Sequence, residues 1–385
     1  LEIWQAIVRD YPEMAKMLFI SDEKHMQSTL KGGVQVCTQE YLSLIRSAGF
    51  DVSVHPIAHT KKLFNRIKIK LSIDTYQRYD FNDLVGAIEE KIIQEKIQFV
   101  ALNQVGLAPF ARRIKQKFGQ KVTVLVLSHG NESGDFLHEI LRDEHKNVIL
   151  KIRDIFKLGL LVFKESMLFS KYIDLVVSMS ETEIQINNWL GAKNGLFVPR
   201  TFSPSFLTLQ PQKDRVGFIG TLDHLPNALG LEQFLKEFEK INSNKVQLRL
   251  IGGPESVGQA MERKFKCVSY LGRLSEDALK AEVASWACSV NPIFWYSRGA
   301  STKLAQIINW GLPVVTTTPG NRGYVWQEGG LLTAANAREM AKMVFDLTTS
   351  DEMIAHQAEQ SRKVANNGPR IEKLACKLNE ILGRI

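Results

Sequence analysis

The sequence predicts an α/β chain built from two doubly wound, parallel-sheet domains. Short apolar runs rich in Val and Ile, bounded by turn residues, alternate with segments of helical period along the whole chain. The alternation occurs twice, and the join is marked by Pro199, Pro204, Pro211 and the polar run Gln210–Asp214. A length of 385 residues fits two domains at about 150 residues each, and a hydrophobic fraction of 44% supplies a core for both.

In the first half, strands are expected at Met17–Ile20, Asp51–Val54, Phe99–Leu102, Val122–Leu127 and Leu175–Val177. Helical patterns run over Gln35–Ala48, Phe81–Glu95 and Ala108–Phe118. In the second half, strands are expected at Val216–Ile219, Val246–Ile251, Val268–Leu271, Cys288–Val290 and Val314–Thr317. Helices are expected at Ala228–Ile241, Glu276–Ser285, Thr302–Trp310, Ala335–Thr348 and Asp351–Val364. The expected boundaries are residues 1–203, then 204–365, then a C-terminal helix within 366–385 that packs back on the first domain. In open sheets of this kind ligands sit beyond the carboxyl ends of the strands, so the loops there hold the candidate residues.

The net charge is +8, divided as +4 in residues 1–200 and +4 in the remainder. It permits an anionic partner such as a nucleotide or a phosphorylated lipid. It lacks the single basic tail or domain of a nucleic-acid binder. Cys37, Cys267, Cys288 and Cys376 form no Cys-x-x-Cys pair, which argues against a zinc ribbon or a dithiol site and fits a reducing compartment. No apolar run of 18 residues occurs, and Leu1–Ala15 lacks a signal-peptide core, so a cytoplasmic location is expected.

Four loops of the second half carry signals. Gly217-Phe218-Ile219-Gly220-Thr221 leads through His224 to Pro226-Asn227 at a helix start, where Gly220 permits close backbone approach. Ile251-Gly252-Gly253-Pro254 is a second strand ending in glycines, and Leu271-Gly272-Arg273-Leu274-Ser275 a third, with Ser275 as an N-cap. Each of these also reads as a plain turn. The fourth is Arg298-Gly299-Ala300-Ser301-Thr302-Lys303 with Gln306, followed by Gly311-Leu312-Pro313-Val314-Val315. A small-residue loop opening a helix turns free N–H groups to one point, and Arg298 and Lys303 add cations, which together suit a phosphate.

These motifs resemble the retaining glycosyltransferases of the GT-B fold, in the broad family 4 grouping. The likeness is good over residues 214–350 and loose before them. It implies two Rossmann-like domains facing across a cleft, a nucleoside-diphosphate sugar as donor, retention of anomeric configuration, and no metal or other cofactor. The family pattern has two glutamates where this chain has Arg298 and Gln306, and an Arg and a Lys where it has Thr221 and Pro226-Asn227. A subgroup combines Gly…Pro-Asn with Arg-Gly-x-x-x-Lys, as here. In it Arg298 and Lys303 would take over the diphosphate, and Gln306 would hold the ribose.

In the first half, Lys31-Gly32-Gly33 opens a helix, and the resemblance places such a pair near the donor. His129 follows a strand and would face the transferred sugar or the acceptor, although a lone His is often structural. Ser180-Glu181-Thr182-Glu183 reads as a capping box. Three basic stretches, His59–Leu71, Phe110–Lys121 and Lys151–Tyr172, are either solvated helix faces or a surface for an anionic membrane.

The expected catalytic set is therefore His129, Arg298 and Lys303. The expected donor set is Gly32, Gly33, Gly220, Thr221, Asn227, Gly252, Gly253, Arg273, Gly299, Ala300, Ser301, Thr302 and Gln306. The expected activity is hexosyl transfer to a saccharide or lipid-linked acceptor in cell-surface polysaccharide synthesis, with closure of the domains excluding water. A nucleotide-sugar epimerase and a non-catalytic nucleotide-sugar-binding module are the alternatives.

Overall fold

A computed structural model of the chain describes residues 15–27, 32–70, 78–142, 147–242 and 245–385. Lys31, Leu71 and the start as far as Met14 lie outside the described residues. The chain divides into two compact units, residues 1–199 with 370–385, and residues 200–369. The division falls between Pro199 and Arg200, slightly before the expected 203/204.

Among the described residues the first unit holds six parallel strands: β1 (Lys16–Asp22), β2 (Asp51–Ile57), β3 (Phe99–Asn103), β4 (Thr123–Ser128), β5 (Leu175–Ser178) and β6 (Gly195–Phe197). Their order is β2-β1-β3-β4-β5-β6, so the winding reverses between β1 and β3. The central strands are covered on both faces, which is why Val124, Leu125, Val126 and Leu127 are all buried and read as one apolar run. The helix Ile371–Leu382 belongs to this unit; its Asn379 Nδ2 donates to the Ala48 carbonyl at 3.0 Å.

The second unit holds β7 (Gln212–Thr221), β8 (Gln247–Gly253), β9 (Val268–Gly272), β10 (Trp286–Val290), β11 (Val314–Thr317) and β12 (Leu332–Ala334). The order β12-β11-β10-β7-β8-β9 is the Rossmann order, with the reversal between β7 and β10. The indole of Trp286 occupies the space above Gly217, where a Cβ would stand 1.9 Å from it. That glycine lets the fully buried Trp286 of β10 cover the neighbouring strand β7.

The strands β6 and β12 were not foreseen, because three residues at a sheet edge carry no readable period. The expected capping box at Ser180 does not form. Ser180 is the N-cap of the helix Glu181–Trp189 but makes no side-chain cap bond, and the buried Glu183 accepts instead from the Asn131 N–H at 3.3 Å. Ser275 does cap its helix, accepting from the Ala278 N–H. None of the four cysteines forms a disulfide; burial pushes Cys267 and Cys288 up to about 12, so neither is a thiolate at neutral pH.

Candidate functional site

In the second unit the site grows from the reversal between β7 and β10. The ends of β7 and β8 lie side by side, Gly220 opposite Gly252 and Thr221 opposite Gly253. Gly252 has φ +142°, and a Cβ there would stand 1.8 Å from the Gly220 carbonyl oxygen, so only glycine admits this approach. The Leu222 N–H then donates to the Gly253 carbonyl at 2.7 Å and turns the chain toward the helix Leu225–Ile241, with Pro226 in its first turn. Gly230 lies flush on the loop after β10, since a Cβ would meet the Pro292 carbonyl oxygen at 1.8 Å.

Asn227 ties the two loops together. Its Nδ2 donates to the Thr221 carbonyl at 2.7 Å, and its Oδ1 accepts from Lys303 Nζ at 2.5 Å. The same ammonium lies 4.4 Å from the centre of the Phe218 ring. Burial, together with repulsion from Arg322, pulls Lys303 down to about 7.

The loop after β10 is pinned from behind. Asn291 Nδ2 donates to Thr316 Oγ1 at 3.1 Å, and the Thr317 hydroxyl donates to the Ile293 carbonyl. Gly299 takes φ +65°, and the helix Thr302–Asn309 follows with Ser301 as an N-cap that makes no side-chain cap bond. The buried Arg200 donates from Nε to the Ala300 carbonyl at 3.1 Å. The Tyr324 hydroxyl accepts from the Ala305 N–H at 3.0 Å and donates to the Ser301 carbonyl. The earlier N–H groups of the first turn, on Thr302, Lys303 and Leu304, point out of the helix end.

The sequence-expected residues thus fall into two groups. Gly220, Thr221, Asn227, Gly252 and Lys303 are brought together around the ends of β7 and β8, with Gly299, Ala300, Ser301 and Thr302 entering the helix that carries Lys303. Arg298 and Gln306 are exposed beside this helix start. Arg273, also exposed, follows the edge strand β9 and lies against Gly253, where a Cβ would meet its Nε at 2.9 Å. Sequence reasoning missed Arg322, whose Nη1 donates to the Pro319 carbonyl at 2.8 Å and whose Nη2 donates to the Arg298 carbonyl at 3.1 Å. It follows β11, and the rule that sites gather after strand ends pointed to it. Arg200 and Tyr324 carry no such signal, because they act on backbone groups.

In the first unit, His129 stands just past β4. Its Nε2 is 2.7 Å from Asn103 Oδ1, and Asn103 Nδ2 donates to Ser21 Oγ at 2.8 Å and to Thr38 Oγ1 at 2.9 Å. The ring of His25 stacks near it, centroids 6.1 Å apart, and that of Tyr41 at 5.7 Å. Burial lowers the pKa of His25. Beside them the buried Asp22 accepts from the Tyr79 hydroxyl at 2.8 Å and pairs with His59 Nε2 at 2.5 Å. Burial raises the pKa of the Tyr79 hydroxyl, so it remains a donor at neutral pH. This polar group, at the reversal between β1 and β3, was not legible in the sequence beyond His129. Gly32 is the N-cap of the helix Gly33–Ser47, again without a side-chain cap bond, and Gly33 is exposed. Among the described residues no group of His, Cys, Asp and Glu is placed to hold a metal ion.

Residues 213–350 match the family described as Glycosyl transferases group 1. No curated protein matches the sequence. Solved structures resemble nearly the whole chain. Sucrose-phosphate synthase from Thermosynechococcus elongatus superposes with a TM-score of 0.67 at 14% identity, over 96% of this chain and 98% of that one. Anabaena HepE in complex with UDP-glucose gives 0.61 at 13% identity, over 96% and 100%. The lipopolysaccharide outer core galactosyltransferase WaaB gives 0.58 at 13% identity, also over 96% and 100%. The family match lies within the second unit, and the likeness of both Rossmann-like units to these structures shows a fold of the GT-B kind.

Proposed function

We propose that the protein transfers a hexosyl group from a nucleoside-diphosphate sugar to a saccharide or lipid-linked acceptor, with retention of configuration, in the synthesis of a cell-surface glycan. The observation that carries this reading is the Lys303–Asn227 bridge at the β7/β10 reversal, with Arg322 and the first-turn N–H groups of the Thr302 helix beside it. Fixed positive charge and oriented N–H groups stabilise a leaving diphosphate without the need for a bound metal. Arg298 extends the cationic rim, and Gln306 accepts from the ribose. Gly220, Thr221, Gly252 and Gly253 give backbone contact to the donor, with Arg273 behind them. Retention and membership of the family 4 subgroup rest on the sequence motifs, and the UDP-glucose bound to HepE supports the donor class. To Gly32, Gly33 and His129 of the first unit we assign the binding of the sugar or the acceptor.

A thermal-shift screen with UDP, GDP, ADP and CMP tests the donor site. At about 100 times its dissociation constant a ligand adds about 2.7 kcal/mol of stability. One nucleoside diphosphate is expected to raise Tm selectively, and no rise with any of them would sink the proposal. The anomer formed in the first turnovers, read by NMR, tests retention.

The His129→Ala variant is expected to lower transfer about tenfold, the cost of one lost hydrogen bond to a bound hydroxyl, while leaving the nucleotide-induced shift intact. Unchanged transfer would remove His129 from the site.

A further inference from the structure

The helix Val148–Tyr172 has two apolar sides. One carries Leu161, Leu168 and Phe169, buried in the core of the first unit. The opposite side carries Ile149, Ile152, Phe156, Leu160 and Phe163, which are 78%, 50%, 72%, 61% and 72% exposed. At 3.6 residues per turn these five fall on one stripe about half a turn from the buried one. The neighbouring helix Glu132–Arg142, packed against it, adds exposed Leu141. Scattered exposed Leu residues need no explanation, but a continuous stripe of this size on one helix does.

Four of the five cations of this helix are gathered to one side, and Lys151 stands apart from them. Arg153, Lys157, Lys164 and Lys171 share one column along the flank of the exposed stripe. Its two carboxylates, Asp154 and Glu165, are 2% and 0% exposed, so the outer surface of the helix presents cations only. Lys157 rests over the Phe136 ring at 4.5 Å, and Arg153 donates to Asp154 at 2.8 Å, which holds both close to the helix. Apolar side chains flanked by a row of cations complement one partner chemistry in both respects, an anionic bilayer surface. Among the described residues no helix is long and apolar enough to cross a membrane, so this one would lie along the surface.

The basic stretch Phe110–Lys121 does not share this pattern. In Phe110–Lys121 the apolar residues Phe110, Ala111 and Ile114 are buried, and Lys115 and Lys117 pair with Asp174 and Glu89. In His59–Leu71, Leu63 and Ile67 are exposed at 72% and 44% beside Arg66, Lys62 pairs with Asp83, and the side chains of Phe64, Lys68, Ile69 and Lys70 lie outside the described residues.

The structure assigns the outer face of the helix Val148–Tyr172 as a docking surface for anionic membrane lipid, with Phe156 and Phe163 entering the interface and Arg153, Lys157, Lys164 and Lys171 meeting the headgroups. The assignment stands independently of the transfer reaction.

Co-flotation of the full chain with phosphatidylcholine vesicles, with and without about one-third phosphatidylglycerol, tests it. The chain is expected to float with the anionic vesicles at low salt, and less so as salt screens the headgroups. The double variant Phe156→Ser with Phe163→Ser is expected to bind at least about tenfold more weakly at unchanged Tm, since both side chains are exposed. Lys164→Glu with Lys171→Glu is expected to weaken binding by about fivefold or more per charge on anionic vesicles only. Failure of the parent chain to float would overturn the assignment, as would undiminished floating of the Phe variant. A dimer that the Phe variant dissolves, in a parent chain that ignores vesicles, would show that a second copy covers the face.

Discussion

Replacing Lys303 by Ala is expected to lower kcat/KM by about 10²–10³, the usual cost of removing one preorganised group from a developing negative charge. It should also erase the nucleotide-induced thermal shift. The amine sits between Asn227 Oδ1 and the Phe218 ring with Arg322 nearby, so the group is held in place before any ligand arrives. Its value of about 7 gives the prediction a second readout. Above that pH the free protein holds Lys303 neutral, and a diphosphate must bring a proton with it. Donor affinity should therefore fall by up to about tenfold per pH unit above 7 in the parent protein, and this slope should vanish in the Ala variant. The stability of the free protein moves the other way. Between about 7 and the ordinary lysine value of 10.5 the unfolded chain holds the extra proton, so stability rises with pH across that window. The variant should lose that rise while staying folded, which separates loss of binding from loss of structure. A Lys303→Ala protein that keeps the nucleotide shift and its pH slope would move the phosphate site elsewhere.

What could be read from the sequence follows from how strongly burial marks a residue type. The central strands β1, β3, β4, β7 and β10 are buried on both faces, and their Val, Ile and Leu runs mark them. The edge strands β6 and β12 are short and half-covered, and nothing in three residues distinguishes them from loop. Glycines that close strand ends are visible as letters, but what each one admits is not. Gly217 makes room for Trp286, Gly230 for the Pro292 carbonyl and Gly252 for the Gly220 carbonyl, and each neighbour is remote or unmarked in sequence. The same holds for side chains that serve the backbone. Asn227 and Lys303 stand 76 positions apart and meet only because the Rossmann order sets β7 beside β10. Charges mislead when their apolar neighbours are not placed. Lys151–Tyr172 reads either as a solvated helix face or as a membrane surface, and only the burial of its opposite side shows that a second apolar stripe is left facing outward.

Gly252→Ala is expected to destabilise the second unit by more than about 3 kcal/mol, because two costs add at one site. The backbone is held at φ +142°, a conformation that side chains resist, and the new Cβ would stand 1.8 Å from the Gly220 oxygen. That oxygen belongs to the strand paired with β8, so relief requires β7 and β8 to part where Gly220 and Gly252 face each other. Gly272→Ala is the control that separates the costs. It too has positive φ, +71°, but nothing lies within 4 Å of its Cβ position. It should therefore show the conformational term alone, about 1–2 kcal/mol. In a unit of this size each kcal/mol moves Tm by roughly 2–4 °C, so calorimetry resolves the difference. The functional consequence is as specific as the stability one. Parting the ends of β7 and β8 withdraws the Thr221 carbonyl from Asn227, and Asn227 is the acceptor that holds Lys303. Gly252→Ala is thus expected to lose the nucleotide shift at temperatures where the protein is still folded, whereas Gly272→Ala keeps it. Equal effects of the two substitutions on Tm and on nucleotide binding would mean that the close approach of β7 and β8 does not position the lysine.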